Sequence, residues 1–307
     1  MGYCEVLEIK GFLLDGRCLF FSLNDSRMLT PFGEFAAVPP GDFLMGNDHP
    51  FLAYGGTPRE EHVQTRHVHR VRITRKLGFL STLLTCEAIA SFIVSEEERF
   101  RGVILPWKQY ADPDGAYARS DLIFHPPGEA HLDVGLADYL TNPANAKQPA
   151  VGLSHDEALA FCEFASSVVG ARVRLPTEAE WEYACRAGTT SLYYFGNNTK
   201  DVPSHAWCCV NSGLNAHPVG AYRPNPWGLY DMIGNAWEWC ADRYAKEYYQ
   251  VSPVDDPLCT DESKGEFVVR GSGSLNKAET CRSAHRFGLK PGTRSRFLGL
   301  RPVVEMT

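Results

Sequence analysis

The chain has 307 residues, 44% hydrophobic and 22% charged, a balance that excludes disordered, collagenous and coiled-coil readings. Its net charge of −7 argues against overall attraction to nucleic acid or an anionic membrane. No apolar run approaches the ~18 residues of a membrane span.

Residues 1–8 lack the basic start and apolar stretch of a secretory signal, and Val6 stands where a myristoylation signal needs Ser or Thr, so a cytoplasmic location is expected. Residues 1–34 read as an accessory hairpin-like element. Within it, Cys4-Glu5-Val6-Leu7-Glu8-Ile9 and Cys18-Leu19-Phe20-Phe21 flank the turn residues Asp15-Gly16.

From residue 35 to 307 the chain reads as one domain. The stretch from Val38 to Gly46 predicts a strand interrupted by Pro39-Pro40. His69-Arg70-Val71-Arg72-Ile73-Thr74 alternates like a second strand, and Thr85 caps a helix through Ile93. Residues 105–149, rich in Pro, Gly, Asp and Ala, predict a long irregular excursion. Two helix starts are explicit: Ser154-His155-Asp156-Glu157 and Thr177-Glu178-Ala179-Glu180 each place a carboxylate three residues after a hydroxyl. In that spacing each side chain satisfies a free amide of the first turn. The first of these helices ends at Gly170.

Beyond Gly188 the text is dense in Gly, Pro, Asn and Trp, which predicts loops held by buried aromatic rings. The ten cysteines include no Cys-x-x-Cys pair and read mainly as buried thiols. Charge is uneven. Residues 270–301 carry eight basic side chains against the single acid Glu279, which suits either internal ion pairs or an anion-facing patch.

Several phrases resemble the formylglycine-generating-enzyme, or sulfatase-modifying-factor, family. They are Val38 through Gly46; Arg174-Leu175-Pro176-Thr177-Glu178-Ala179-Glu180-Trp181-Glu182-Tyr183-Ala184; Asn225 through Asp231; Gly234-Asn235-Ala236-Trp237-Glu238-Trp239; Arg270-Gly271; and Cys281-Arg282-Ser283-Ala284-His285-Arg286, ending at Leu298-Gly299-Leu300-Arg301. The resemblance implies an α+β fold of the C-type lectin-like kind, with short antiparallel strands, two or three helices and much irregular structure.

The family's oxidases hold copper with two cysteines five residues apart. The resemblance carries those positions near Gly273 and Ala278, and Cys281 is the segment's only thiol. One thiol does not make a site for soft Cu(I). The iron-binding helical domain of the related sulfoxide synthases has no counterpart either. The resemblance makes Asn235 and Glu238 candidate calcium ligands, the alternative being a loop pin and an arginine partner. His62, His67 and His69 form a weaker metal candidate. Cys162 and Cys185 match disulfide positions of secreted oxidases, but their partner positions are Pro302 and Ser283, so neither bridge is expected.

Residues 270–301 also resemble the variable regions of diversity-generating retroelement proteins. The positions singled out are Gly273, Ser274, Leu275, Thr280, His285, Phe287, Leu289, Thr293, Ser295, Arg296 and Phe297, with Gly288 and Gly292 between them. Each residue can arise from an asparagine codon by changing adenines alone. The expectation is a non-catalytic binder of a protein or small-molecule ligand, without nucleic-acid or membrane partners, in the cytoplasm or on a virion. Exposed Phe287, Leu289 and Phe297 beside Arg296 would anchor the contact, unless these apolar residues are core. The alternatives are a copper- or iron-dependent modifying enzyme and a family paralogue that binds peptides without altering them. Ligand and oligomeric state stay open.

Overall fold

The computed structural model describes residues 10–14, 17–21, 27–47, 67–105 and 134–306. Four strands open it: β1 (Lys10–Leu14), β2 (Arg17–Phe21), β3 (Arg27–Thr30) and β4 (Gly33–Val38). The hairpin register pairs Lys10 with Phe21 and Leu14 with Arg17. The earlier stretch Cys4 to Ile9 lies outside the described residues. The boundary expected at residue 34 falls inside β4, which pairs with β3.

After the Pro39-Pro40 break comes β5 (Gly41–Met45), then β6 (His69–Ile73), which pairs with it, and β7 (Leu77–Leu80). Helices α1 (Cys86–Ser95) and α2 (Glu97–Phe100) follow, with Thr85 Oγ1 accepting from Ala88 N as the cap of α1. The described part of the expected irregular excursion is more ordered than its composition predicts. Strands β8 (Ile104–Leu105) and β9 (Val134–Gly135) pair, and α3 (Leu136–Thr141) follows. Leu136 and Leu140 are fully buried, and that burial outweighs the poor helix propensity of the surrounding text.

Both capping boxes form. Helix α4 (His155–Val169) ends at Gly170 with φ +75°, while α5 (Glu178–Arg186) ends at Ala187 with φ +45°. Strand β10 (Val173–Arg174) lies between them. Downstream of α5 the chain holds β11 (Trp237–Arg243), β12 (Phe267–Arg270), β13 (Arg286–Leu289), β14 (Leu298–Gly299) and β15 (Val303–Glu305), joined by loops and short 3-10 turns.

Two sheets organise the chain. One runs β1-β2-β3-β4-β7-β15-β10 and the other β13-β12-β11-β14. Helix α5 sits wholly buried against the second sheet, so its carboxylates need internal partners. Glu180 takes Arg174 at 2.7 Å, while Glu178 and Glu182 find arginines supplied by the distant C-terminal segment. Arg286 grips Glu178 with Nε and Nη2 at 2.7 and 2.8 Å. Arg270 contacts Glu182, which also takes Arg186 at 2.8 Å, and Arg301 takes Glu238 at 2.8 Å. The C-terminal segment is thereby locked to the frame. Among the described residues no helix is long and apolar enough to cross a membrane.

Candidate functional site

The loop leaving β12 starts with two left-handed residues, Gly271 at φ +96° and Ser272 at φ +65°. At Gly271 the backbone runs close to Trp181, since a Cβ there would lie 3.3 Å from its ring. Ser272 holds a conformation costly for a side-chain-bearing residue. Its hydroxyl donates to Thr280 O at 2.8 Å and lies 3.1 Å from His285 Nδ1. The loop is thus closed across its own base.

At its tip the loop folds over Trp237, the first residue of β11. Trp237 Nε1 donates to Asn276 Oδ1 at 3.0 Å, and Gly273 N donates to the same oxygen at 2.8 Å. Cys209 N donates to Asn276 O at 3.0 Å, tying a second loop to the first. The Trp237 ring lies 5.3 Å from His285 and 6.2 Å from Phe287, centroid to centroid. A Cβ at Gly273 would come within 3.1 Å of Phe297 and 3.3 Å of Trp237. Positions 273, 285, 287 and 297, separate in sequence, therefore meet around one tryptophan.

Only some of the positions singled out from sequence reach solvent. Leu275, Thr280, Phe287 and Arg296 are half-exposed, as are Asn276 and Lys277, and Gly292 is exposed. Gly273, Ser274, His285, Gly288, Thr293 and Ser295 are buried. The expected exposed trio is corrected: Leu289 is 1% exposed and Phe297 5%. Leu289 pairs with Phe267 and enters the core with Val269 and Trp239. Phe297 is carried inward because its carbonyl accepts from Trp237 N at 2.7 Å.

The basic excess of residues 270–301 is also largely internal. Arg270, Arg286 and Arg301 are fully buried in the ion pairs described above, and Arg294 holds Glu157 at 2.8 Å.

The calcium candidate does not fit. Asn235 Oδ1 accepts from His217 N at 2.9 Å and its amide donates to His217 O at 3.0 Å. Glu238 is fully buried and takes Arg301 and, at 2.6 Å, Trp181 Nε1. Both side chains are spent as loop pin and arginine partner, so no oxygen cradle remains.

Of the histidines, His62 lies outside the described residues and His69 Nδ1 sits 3.1 Å from His67 O. His69 also lines a small pocket with Asp242 and Ser252, and its Nε2 has no hydrogen-bond partner among the described residues. Among the described residues no three His, Cys, Asp or Glu side chains converge as metal ligands.

Copper fares no better at the positions implied for it, since Gly273 and Ala278 offer no donor side chain. Cys281 is fully buried, and loss of solvent pushes its thiol far above the usual range, the opposite of an activated thiolate. The eight cysteines from Cys86 to Cys281 are free. Cys185 is pushed up to about 12 by burial, with the Ser283 side chain opposing the rise, so the residue at the implied partner position does stand beside it. Buried Trp237 and half-exposed Asn276 are the residues of this cluster that the variable pattern missed. Trp237 reads as a scaffold peg, and no sequence signal marks Asn276.

A C-type lectin-like frame of the formylglycine-generating kind is the class these features define. The chain belongs to the sulfatase-modifying factor enzyme 1-like family, whose model matches residues 21–306. It is 32% identical over 293 residues to the formylglycine-generating enzyme of Streptomyces coelicolor, covering 86% of this chain and 87% of that one. Against the Mycobacterium tuberculosis enzyme it is 35% identical over 221 residues, 65% of this chain and 67% of the other. Among solved structures, PvdO from Pseudomonas aeruginosa aligns with a TM-score of 0.70 at 24% identity, over 90% of this chain and 96% of that one. Treponema denticola variable protein 1 aligns at 0.60 and 18% identity, over 98% and 100%. These two likenesses establish the shared fold.

Proposed function

We propose that the chain is a non-catalytic member of its family, a target-recognition protein that contacts its ligand through the half-exposed positions Leu275, Thr280, Phe287 and Arg296 and diversifies them in the manner of retroelement variable proteins. What supports this reading is the donor set: the positions that the family resemblance implies for copper, Gly273 and Ala278, carry no donor side chain, and Cys281 is sealed in the core. The frame supports it too. Arg270, Arg286 and Arg301 are buried in charge pairs, so the scaffold keeps its shape while Leu275, Thr280, Phe287 and Arg296 change. The identity of 32% with a formylglycine-generating enzyme over most of both chains favours a second reading, an oxidising or otherwise modifying enzyme.

One assay separates the two. The purified chain, supplied with Cu(I), oxygen and a cysteine-containing peptide, is expected to consume no oxygen and leave the peptide mass unchanged; turnover would overturn the binding reading. For diversification, the genome should carry a reverse transcriptase gene and a near-copy of the codons for residues 270–301 close by.

A further inference from the structure

His69 opens β6, and its Nδ1 lies 3.1 Å from His67 O. A carbonyl oxygen can only accept, so the neutral ring carries its proton on Nδ1 and leaves Nε2 as an acceptor. That Nε2 is shut away from solvent with no partner among the described residues, and so is Ser252 Oγ. Both residues line the same small pocket, together with Asp242 and Tyr248, and its free space matches a single water molecule.

Asp242, 1% exposed, supplies a carboxyl to this pocket. One of its oxygens accepts from Cys259 N at 2.9 Å and the other from Glu178 N at 2.6 Å, which leaves each a further lone pair. Glu178, also at the pocket, is taken up by Arg286 and by the Tyr249 hydroxyl at 2.9 Å. Cys240, Cys259, Tyr248 and Arg286 are the other charged or titratable groups close to Asp242. The rings of Tyr249 and His67 lie 4.8 and 6.3 Å from that of His69. Burial, with Glu178 alongside, brings the Asp242 pKa up to about 7, so this carboxyl binds and releases its proton near neutral pH. One water satisfies all three polar groups at once. It donates one hydrogen to His69 Nε2 and the other to an Asp242 oxygen, and it accepts from the Ser252 hydroxyl.

We propose that this pocket is a water site and that the water makes His69 and Asp242 a proton relay. The protonated Asp242 carboxyl gives its proton to the water oxygen while a hydrogen of that water passes to His69 Nε2. The O–H bond of the acid breaks, an N–H bond forms, and carboxylate, water and imidazolium result. His69 is half-exposed, so the buried carboxyl trades protons with solvent through it.

The test follows the Asp242 carboxyl by 13C NMR and the His69 ring by 15N NMR in the full chain, across neutral pH. In the native chain each nucleus should show two steps, its own and its partner's, because sites that interact by more than about one pK unit titrate as a pair. His69→Phe should leave Asp242 with a single step displaced upward by about one pH unit, and Asp242→Asn should reduce His69 to a single step. Ser252→Val removes neither titrating group but fills the pocket and deletes the hydroxyl; here both nuclei should lose the partner's step.

A single step at each nucleus in the native chain would overturn the pairing without any variant. Two steps that persist in Ser252→Val would mean coupling through space and would overturn the part given to water. Trp181, on α5, should keep its indole signal in each variant, which shows that the surrounding frame is intact.

Discussion

Trp237 Nε1 donates to Asn276 Oδ1 across 3.0 Å, and this bond joins the start of β11 to the tip of the loop that follows β12. It couples a family scaffold residue to the segment in which this chain is most individual. The surrounding positions behave differently according to which side of that bond they face.

Leu289 lies on the inner side, at 1% exposure among Val269 and Trp239. Leu289→Ala should cost about 2–5 kcal/mol. Thr280→Ala and Leu275→Ala, at half-exposed positions, should stay within about 0.5 kcal/mol. Urea melts of the three variants check the split; equal losses would mean that the loop positions are structural.

Arg301 donates to both oxygens of Glu238, and all of these groups are fully buried. Arg301→Met strands a carboxylate in the core and should cost about 3–5 kcal/mol. Adding Glu238→Gln should recover part of the loss, because the uncompensated charge is then gone. A double-mutant cycle on the midpoint of denaturation measures the recovery.

His155 is 1% exposed, its ring stacked on Phe267, with Nε2 donating to Cys240 O at 3.1 Å. Burial lowers its pKa from 6.5 to about 4. Between those values the unfolded chain binds more protons than the folded one, so stability must fall as pH drops from 6.5 toward 4. The loss is about 3 kcal/mol in total. His155→Gln should flatten that part of the profile, whatever its effect at pH 7.

Asp242 works in the opposite direction. Burial, with Glu178 alongside, raises its pKa from 3.8 to about 7 although the amides of Cys259 and Glu178 favour its charge. The folded chain binds the extra proton between pH 4 and 7, so this group contributes stability at low pH that is lost as pH rises through that window. The wild-type profile should therefore be shallower than His155 alone would make it. Subtracting the His155→Gln profile from it should isolate the histidine slope.

Local chemistry was legible where a few adjacent residues suffice. Ser154 with Glu157, and Thr177 with Glu180, form capping boxes because the reciprocal bonds need only one helical turn. The break at Pro39-Pro40 and the stop at Gly170 follow from backbone sterics alone. The lack of a donor side chain at Gly273 and Ala278, the positions the resemblance implies for copper, is likewise written in the residue types. The helix at Leu136–Thr141 was hidden because its stability comes from burial of Leu136 and Leu140 against distant elements, which no local propensity records.

The sequence by itself determined the family and the rigid aromatic frame, since each depends on residue identity at a fixed spacing. Only the tertiary structure decided which of the individual positions face water. Strand β13 does not alternate simply: Arg286, Gly288 and Leu289 are buried and Phe287 is half-exposed. The burial of Phe297 follows from a backbone bond to Trp237, sixty residues earlier. Whether a side chain is core or contact surface depends on what the rest of the chain brings against it. Here that is a tryptophan, a buried carboxylate set and the amide of Asn276.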